Sequence, residues 1–456
     1  MKILKVFAVV ITSLLASCSN PDNNFEMSET WDFDDCSLTE IQEEKVPNLT
    51  IKEGYISQEN QSIRIMRNGQ AIALVKLGKP IIIAQAQNEE EWGYFQFPEL
   101  YRNIDGNLIA TWQMKIDDQS AFGKDPNHRM MSRDEGLSWT ELDKDYNQHC
   151  RYRCDLRNGD VLNVVTPESQ DITRYVDFPT PEEGENNSMY SFYRQELLPQ
   201  ELQGAYLSLW SRSNNSANDI HAEVNDPGML KFAIQNLMPL TFWGKIEELE
   251  DGSLIIGVQS YYLDSEGDVA LSGVSFYRST DGGKKWVIQG KIPYDVDPAR
   301  TKFDGRDGFC EPSFEVLNNG TLVCAMRTSN DTPMYRAFSY DKGKTWTKAE
   351  PFTPNGVLPN LLLLNNGVLV LASGRPGVQL RFSLDGTGEV WTEPIEMMPF
   401  MDSDGNYDIF VSCSYSDILA VDDNTFYLVY SDFKTKNSTG EYRKSIVFRK
   451  VSIKKK

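Results

Sequence analysis

The chain is expected to be all-β, a β-propeller of six or seven four-stranded blades, with seven the preferred count. Two repeats that run in step predict it, and long helical periodicities are hard to find after the N-terminus. The first repeat is an apolar strand, a tight turn and a second apolar strand: "NIDGNLIATW", "LRNGDVLNVV", "LEDGSLIIGV", "LNNGTLVCAM", "LNNGVLVLAS" and "VDDNTFYLVY". The turn glycines are Gly106, Gly159, Gly252, Gly320 and Gly367, with Asn424 in the last copy. Asn-Gly and Asp-Gly favour the positive φ angles of two-residue hairpins, so the signal has a mechanism. The second repeat is S-x-D-x-G-x-x-W: "SRDEGLSW" (Ser132 to Trp139), "STDGGKKW" (Ser279 to Trp286), "SYDKGKTW" (Ser339 to Trp346) and the looser "SLDGTGEVW" (Ser383 to Trp391). A sheet-sized unit recurring every roughly 45 to 60 residues is what stacked blades produce.

Taken from the N-terminus, residues 1–17 read as a targeting segment. Lys2 and Lys5 precede the apolar "VFAVVITSLLA", and "LASC" sets Cys18 after small residues. That arrangement resembles a bacterial lipobox, which implies that Cys18 is lipidated and that the mature protein is exported and held to a membrane at the cell surface, outer membrane or periplasmic face. Residues 18–50 follow as tether and first strand region, and 51–456 as one propeller domain. Ser62 to Gln85 supplies strands able to close the ring with the C-terminal "SIVFRKVSI". The polar interval around 166–240 reads as an insertion on one blade or a degenerate blade.

Composition narrows function. The formal net charge is −21 over 456 residues, so no basic footprint for nucleic acid is visible. Binding of an acidic glycan would rest on a few local cations rather than on long-range steering. Of the seven cysteines, Cys310, Cys324 and Cys413 lie inside apolar strand patterns and read as small hydrophobes. His149, Cys150 and Cys154 are close in sequence but match no standard zinc spacing. No cofactor or metal is expected.

The four S-x-D-x-G-x-x-W turns resemble the Asp-box (BNR repeat) of the sialidase superfamily. The resemblance implies that Ser and Asp bond the turn backbone, that Trp packs between blades, and that the motif lies on the rim, away from the chemistry. "GFCEPSFEVLNNGTLVCAMR" and "SCSYSDILAVDDNTFYLVYSDF" resemble sialidase segments as well. By that resemblance Glu311 activates Tyr415 as a nucleophile, and Arg327 and Arg375 grip a carboxylate. Two parts depart from the pattern. Gln96 in "YFQFPELYRNIDG" stands where a sialidase has an arginine, and a neutral amide cannot replace a bidentate charged pair. The aspartate expected before the first Asp-box is replaced by His128, with Asp117, Asp118 and Asp125 nearby.

A second resemblance, to propeller-type ulvan lyases, rests on spacing. His128 and His149 are 21 residues apart on successive blades, and Tyr262 and Arg278 are 16 apart, with Tyr261 an alternative to Tyr262. The chemistry fits the residue types. Elimination at a uronate needs the carboxylate neutralised, the C5 proton removed and the departing group at C4 protonated. His128 and Tyr262 are expected to exchange protons, while Arg278 and His149 grip the carboxylate.

The leading expectation is therefore a lyase, or an oligosaccharide dehydratase, acting on an ulvan-like acidic glycan. A glycosidase built on Glu311 and Tyr415 and a non-catalytic glycan-binding propeller stand beside it.

Overall fold

The computed structural model describes residues 30–44, 48–51, 54–117, 127–143, 152–182, 190–240, 242–296, 308–329, 332–401 and 406–456. Within them the chain is a β-propeller. Each hairpin repeat supplies the two inner strands of one blade, and the following chain supplies the outer strands. The first blade is Tyr94–Arg102, Leu108–Met114, Asn127–Ser132 and Thr140–Glu141; the second is Cys154–Asp155, Val161–Val164, Ala205–Ser211 and Ser216–Asn225. The third comprises Ile246–Glu248, Leu254–Ser260, Gly273–Ser279 and Lys285–Ile292, and the fourth Cys310–Val316, Leu322–Arg327, Met334–Ser339 and Glu350–Thr353. The fifth runs Val357–Leu363, Leu369–Gly374, Val378–Ser383 and Ile395–Glu396, with Tyr55–Ile56 added in parallel at its edge. Ser416–Asp422, Thr425–Lys436 and Tyr442–Lys455 open the sixth.

The sixth blade is completed from the other end of the chain. Tyr442–Lys455 pairs antiparallel with Gln70–Leu77 (Val451 opposite Leu77) and with Ile81–Gln85. The closure expected from Ser62 to Gln85 is thus formed. The described residues make six blades, not the preferred seven, because Ser62 to Gln85 completes the sixth rather than building its own.

The 166–240 interval also needs correction. Its middle supplies Ala205–Ser211 and Ser216–Asn225, the outer half of the second blade. Only its flanks are inserted, forming a separate sheet of Gln170–Asp171, Leu237–Met238, Leu230–Ile234 and Tyr190–Arg194.

Blades stack face to face, so second strands are covered on both sides. Leu322–Arg327 and Leu369–Gly374 are buried at every position, which explains why these segments read as continuous apolar runs rather than alternating ones. The hydrophobic clusters lie between blades: Leu322, Cys324 and Met326 pack with Ile255, Val274 and Phe276 of the third blade, and Val323 and Ala325 with Leu369 and Leu371 of the fifth.

The rim turns behave alike in every copy. The glycine N–H donates to the serine Oγ (2.8 Å at Gly136, 2.9 Å at Gly283, 2.8 Å at Gly343, 3.1 Å at Gly388). The tryptophan Nε1 donates to the same glycine's carbonyl at 3.0, 3.0, 3.2 and 2.9 Å. Each turn then docks on the preceding blade: Trp139 on Phe448 (5.3 Å), Trp346 on Phe276 (4.2 Å) and Trp391 on Phe352 (6.0 Å).

Innermost strands are not hydrogen-bonded to one another, so side chains bridge them around the axis. Arg153 Nη1 donates to the Asn103 carbonyl (2.8 Å) and Glu248 Oε2 accepts from Arg157 N (2.7 Å). Lys245 binds Glu315 (2.8 Å), Asn360 donates to the Ser416 carbonyl (2.6 Å), and Asp417 accepts from Leu100 N (2.9 Å). Between the fourth and fifth blades, Glu311, Ser313 and Glu315 accept from the N–H groups of Leu358, Leu361 and Leu363. A buried N–H without a partner is costly, and these carboxylates and hydroxyls supply the missing ladder.

Candidate active site

Non-glycine residues with positive φ collect where innermost strands begin: Phe95 (58°) and Phe97 (52°) in the first blade, Tyr152 (53°) before the second, Glu311 (49°) in the fourth, Leu358 (40°) in the fifth and Ser414 (69°) before the sixth. Strand pairing slips at Tyr94–Glu99, Cys310–Ser313 and Val357–Asn360. Bulges of this kind re-aim side chains, and strained backbone concentrates at functional sites. The end of the propeller where these strands start is therefore the candidate functional mouth. The Asp-box turns, at the ends of third strands, lie at the other end.

Three side chains meet there. The Tyr415 hydroxyl donates to Glu311 Oε1, and Arg327 Nη1 donates to both Glu311 Oε1 (2.7 Å) and Tyr415 Oη (3.0 Å). Glu311 Oε2 accepts from Leu358 N at 2.7 Å. Backbone and guanidinium thus fix the carboxylate from both sides. Arg327 sits at the end of a second strand, opposite Cys310 in the ladder, and its side chain is almost wholly buried. Burial, then the Glu311 carboxylate, hold the Tyr415 phenol well above its usual range, while Arg327 opposes them. Phe97 packs edge-to-face on Tyr415 at 4.8 Å.

Around this cluster the other expected residues are spread. Arg375 (φ 51°) follows the fifth blade's second strand at the mouth end, near enough to Cys413 for its charge to act on that thiol. Gln96 is wholly buried between Phe95 and Phe97, and neither amide atom has a hydrogen-bond partner among the described residues. Deeper along the inner strands, Lys245 Nζ is held between Glu247 (2.5 Å) and Glu315 (2.8 Å), and burial pushes the Glu315 carboxyl up.

Of the four side chains expected to perform elimination, the three that are described, His128, Tyr262 and Arg278, do not form one cluster. His128 pairs with Trp112 in the third strand of the first blade, two strands out from the axis. Its ring lies 4.9 Å from the Trp112 indole and its Nε2 3.5 Å from Glu141 Oε1. Burial lowers its pKa, opposed by Glu141 and aided by Arg129.

Tyr262 is tied into a hydrogen-bonded knot. Its hydroxyl donates to Asp226 Oδ2 (2.5 Å) and pairs with Ser275 (2.7 Å), and Lys291 Nζ lies 3.2 Å over its ring. Burial and Asp226 hold its phenol well above the usual range. Tyr261 is core, packed on Phe192 at 4.8 Å.

Arg278 donates to Ser253 Oγ (2.8 Å) and Asp251 (2.6 Å) at the Asp-box end. The pairs Ser260–Gly273 and Ile255–Arg278 are five ladder steps apart, so Arg278 is about 17 Å down the blade from Tyr262's end. Sixteen residues of chain had turned the corner and descended the next strand. His149 and Cys150, like Cys18, Asp118 and Asp125, lie outside the described residues. Cys154 is buried, its thiol pushed up to about 12 by burial and then Glu247 and Glu248.

Residues 233–428, spanning the third to fifth blades and part of the sixth, match the BNR repeat-like domain. Three of the four S-x-D-x-G-x-x-W turns, those that begin at Ser279, Ser339 and Ser383, fall inside that match. No curated protein matches. Among solved structures the chain is similar to a protein of unknown function from Dyadobacter fermentans, with 17% identity, a TM-score of 0.54, and coverage of 83% of this chain and 99% of that one. More distant are a Trypanosoma rangeli sialidase (13% identity, TM-score 0.41, 88% of this chain and 57% of that one) and an α-L-arabinofuranosidase from Fusarium graminearum (12%, 0.46, 81% and 96%).

Proposed function

We propose that the chain is a glycan hydrolase in which Tyr415 attacks the anomeric carbon and Glu311 takes the phenolic proton. The observation that carries this reading is the Tyr415 hydroxyl held on Glu311, with Arg327 bonded to both. A phenol is a weak nucleophile until a base removes its proton, and an adjacent oriented carboxylate is the arrangement that does so. As the bond forms, the glycosidic C–O bond breaks. Asp117, the described carboxyl that follows the first blade's second strand, is the candidate for protonating the departing oxygen. Water then attacks the anomeric carbon, the Asp117 carboxylate takes its proton, and the bond to Tyr415 breaks as Glu311 returns the proton to the phenolate oxygen.

Arg327 and Arg375 suit an acidic terminal sugar, while Gln96 in place of a third cation argues against sialate. Read with the lipobox-like N-terminus, this is an exported, membrane-anchored glycan-degrading enzyme.

The test is a panel of ulvan oligosaccharides, glucuronides, sialosides and arabinofuranosides, followed for reducing-end release and for the ultraviolet absorbance of an unsaturated uronate. Reducing ends without absorbance, reduced about a thousandfold in Tyr415→Phe, are expected. Turnover unchanged in that variant overturns the reading, and absorbance lost in His128→Ala would restore elimination.

A further inference from the structure

Five residues before Tyr415 and five before Phe97 stand two more aromatic rings, Phe410 and Trp92. Tyr415 and Phe97 touch each other at 4.8 Å, and Phe410 and Trp92 touch each other at 5.6 Å with their planes at 88°. The two segments therefore run side by side from the nucleophile to the surface, a distance of at most about 17 Å.

At the outer end Trp92 is half-buried and Phe410 stands open. Phe410 is 59% exposed and the adjoining Ile409 37%. The position is nevertheless built. Asp408 caps the short turn by accepting from Phe410 N (2.8 Å) and also contacts Lys434 (3.4 Å). Trp92 packs edge-on against Phe433 (6.1 Å) and donates through Nε1 to Asp117 (3.2 Å). Gly93 (φ 107°) lets this segment cross the first blade, since a Cβ there would lie 2.2 Å from the Lys115 carbonyl. The Lys444 ammonium lies 4.6 Å over Phe433 and 6.0 Å over Trp92, and donates to the Glu91 carbonyl.

We infer that Phe410 and Trp92 form a second sugar-binding platform, taking the residue beyond the cleaved bond of an acidic oligosaccharide. This rests on the hydrolase reading for its role but not for its existence. Phe410 and Ile409, exposed beside the half-buried Trp92, make an apolar surface that calls for an occupant. A sugar ring offers an apolar C–H face to an aromatic ring and hydroxyls to its rim. Here the rim carries Asp117, Lys434 and Lys444, donors and acceptors of both signs. Lys434 is paired with Asp408, so the acidity of the ligand is set at Arg375 and at Arg327 beside Tyr415, and the platform takes the next sugar of that same chain rather than a second copy of a protein of net charge −21.

The experiment separates the platform from the chemistry by using Tyr415→Phe full-length chain as the binding parent. It is titrated calorimetrically with an ulvan tetrasaccharide, sialyllactose and arabinotetraose, alone and with Phe410→Ala added. Because Phe410 is exposed, its removal is expected to leave the melting temperature unchanged. Affinity for the acidic oligosaccharide should fall about three- to tenfold, the span that one aromatic contact carries. Equal affinity in both proteins, or no binding by the parent, overturns the platform. So does a parent dimer that Phe410→Ala dissociates, which would make a second copy the occupant. Hydrolysis persisting in Tyr415→Phe would instead sink the catalytic reading and leave the titration result standing.

Discussion

At the scale of single residues, position in the ladder decides role. Glu311, Arg327 and Tyr415 come from blades four and six, yet meet because each sits at the mouth end of its strand. That placement was legible in the flanking motifs "CEPSF" and "SCSYSD". The fate of Arg278 was not, because spacing counts chain and a hairpin converts added residues into descent. Arg278→Ala should leave turnover unchanged and lower stability by about 0.5–1 kcal/mol, the worth of a partly exposed pair with Asp251, as read by urea unfolding. Phe97 and Phe410 also escaped the reading, since an aromatic in a β-rich sequence is ordinarily core.

Among elements, the Asp-box turn is the unit that holds neighbouring blades together. Its structural role was readable from four copies; its direction, always onto the preceding blade, required the folded chain. Gly136 has φ 90°, and a Cβ there would lie 2.2 Å from the Phe448 ring, whereas Gly106 has φ 87° with nothing within 4 Å. Both alanine variants carry the backbone penalty of a positive φ, but only Gly136→Ala also wedges the first blade from the sixth. Thermal unfolding should show a loss of about 2–4 kcal/mol for Gly136→Ala and about 1–2 kcal/mol for Gly106→Ala. Equal losses would mean that the turn does not clamp the blades. The interval read as an insertion because Ser216–Asn225, though a blade strand, is polar and largely exposed, and hides its apolar partner Ala205–Ser211 between polar stretches.

For the molecule as a whole, burial of phenols sets its response to alkali. Tyr262, Tyr277, Tyr415 and Tyr427 are held above the usual phenol range chiefly by burial, and Tyr430 is pushed up to about 12. In the unfolded chain they ionise near about pH 10. Between there and their folded values the native state binds more protons than the unfolded one, so stability is complete below about pH 10 and falls as pH rises. Urea midpoints should drop above that pH, with tyrosinate absorbance appearing together with unfolding rather than before it.

The six-blade count follows from one economy, that the last sheet borrows strands from near the start of the chain. A polypeptide that stops before Tyr442 would leave Gln70–Leu77 and Thr425–Lys436 as raw edges facing a gap. Removal of Tyr442–Lys455 would therefore yield material prone to proteolysis and self-association, so a single strand guards two edges at once.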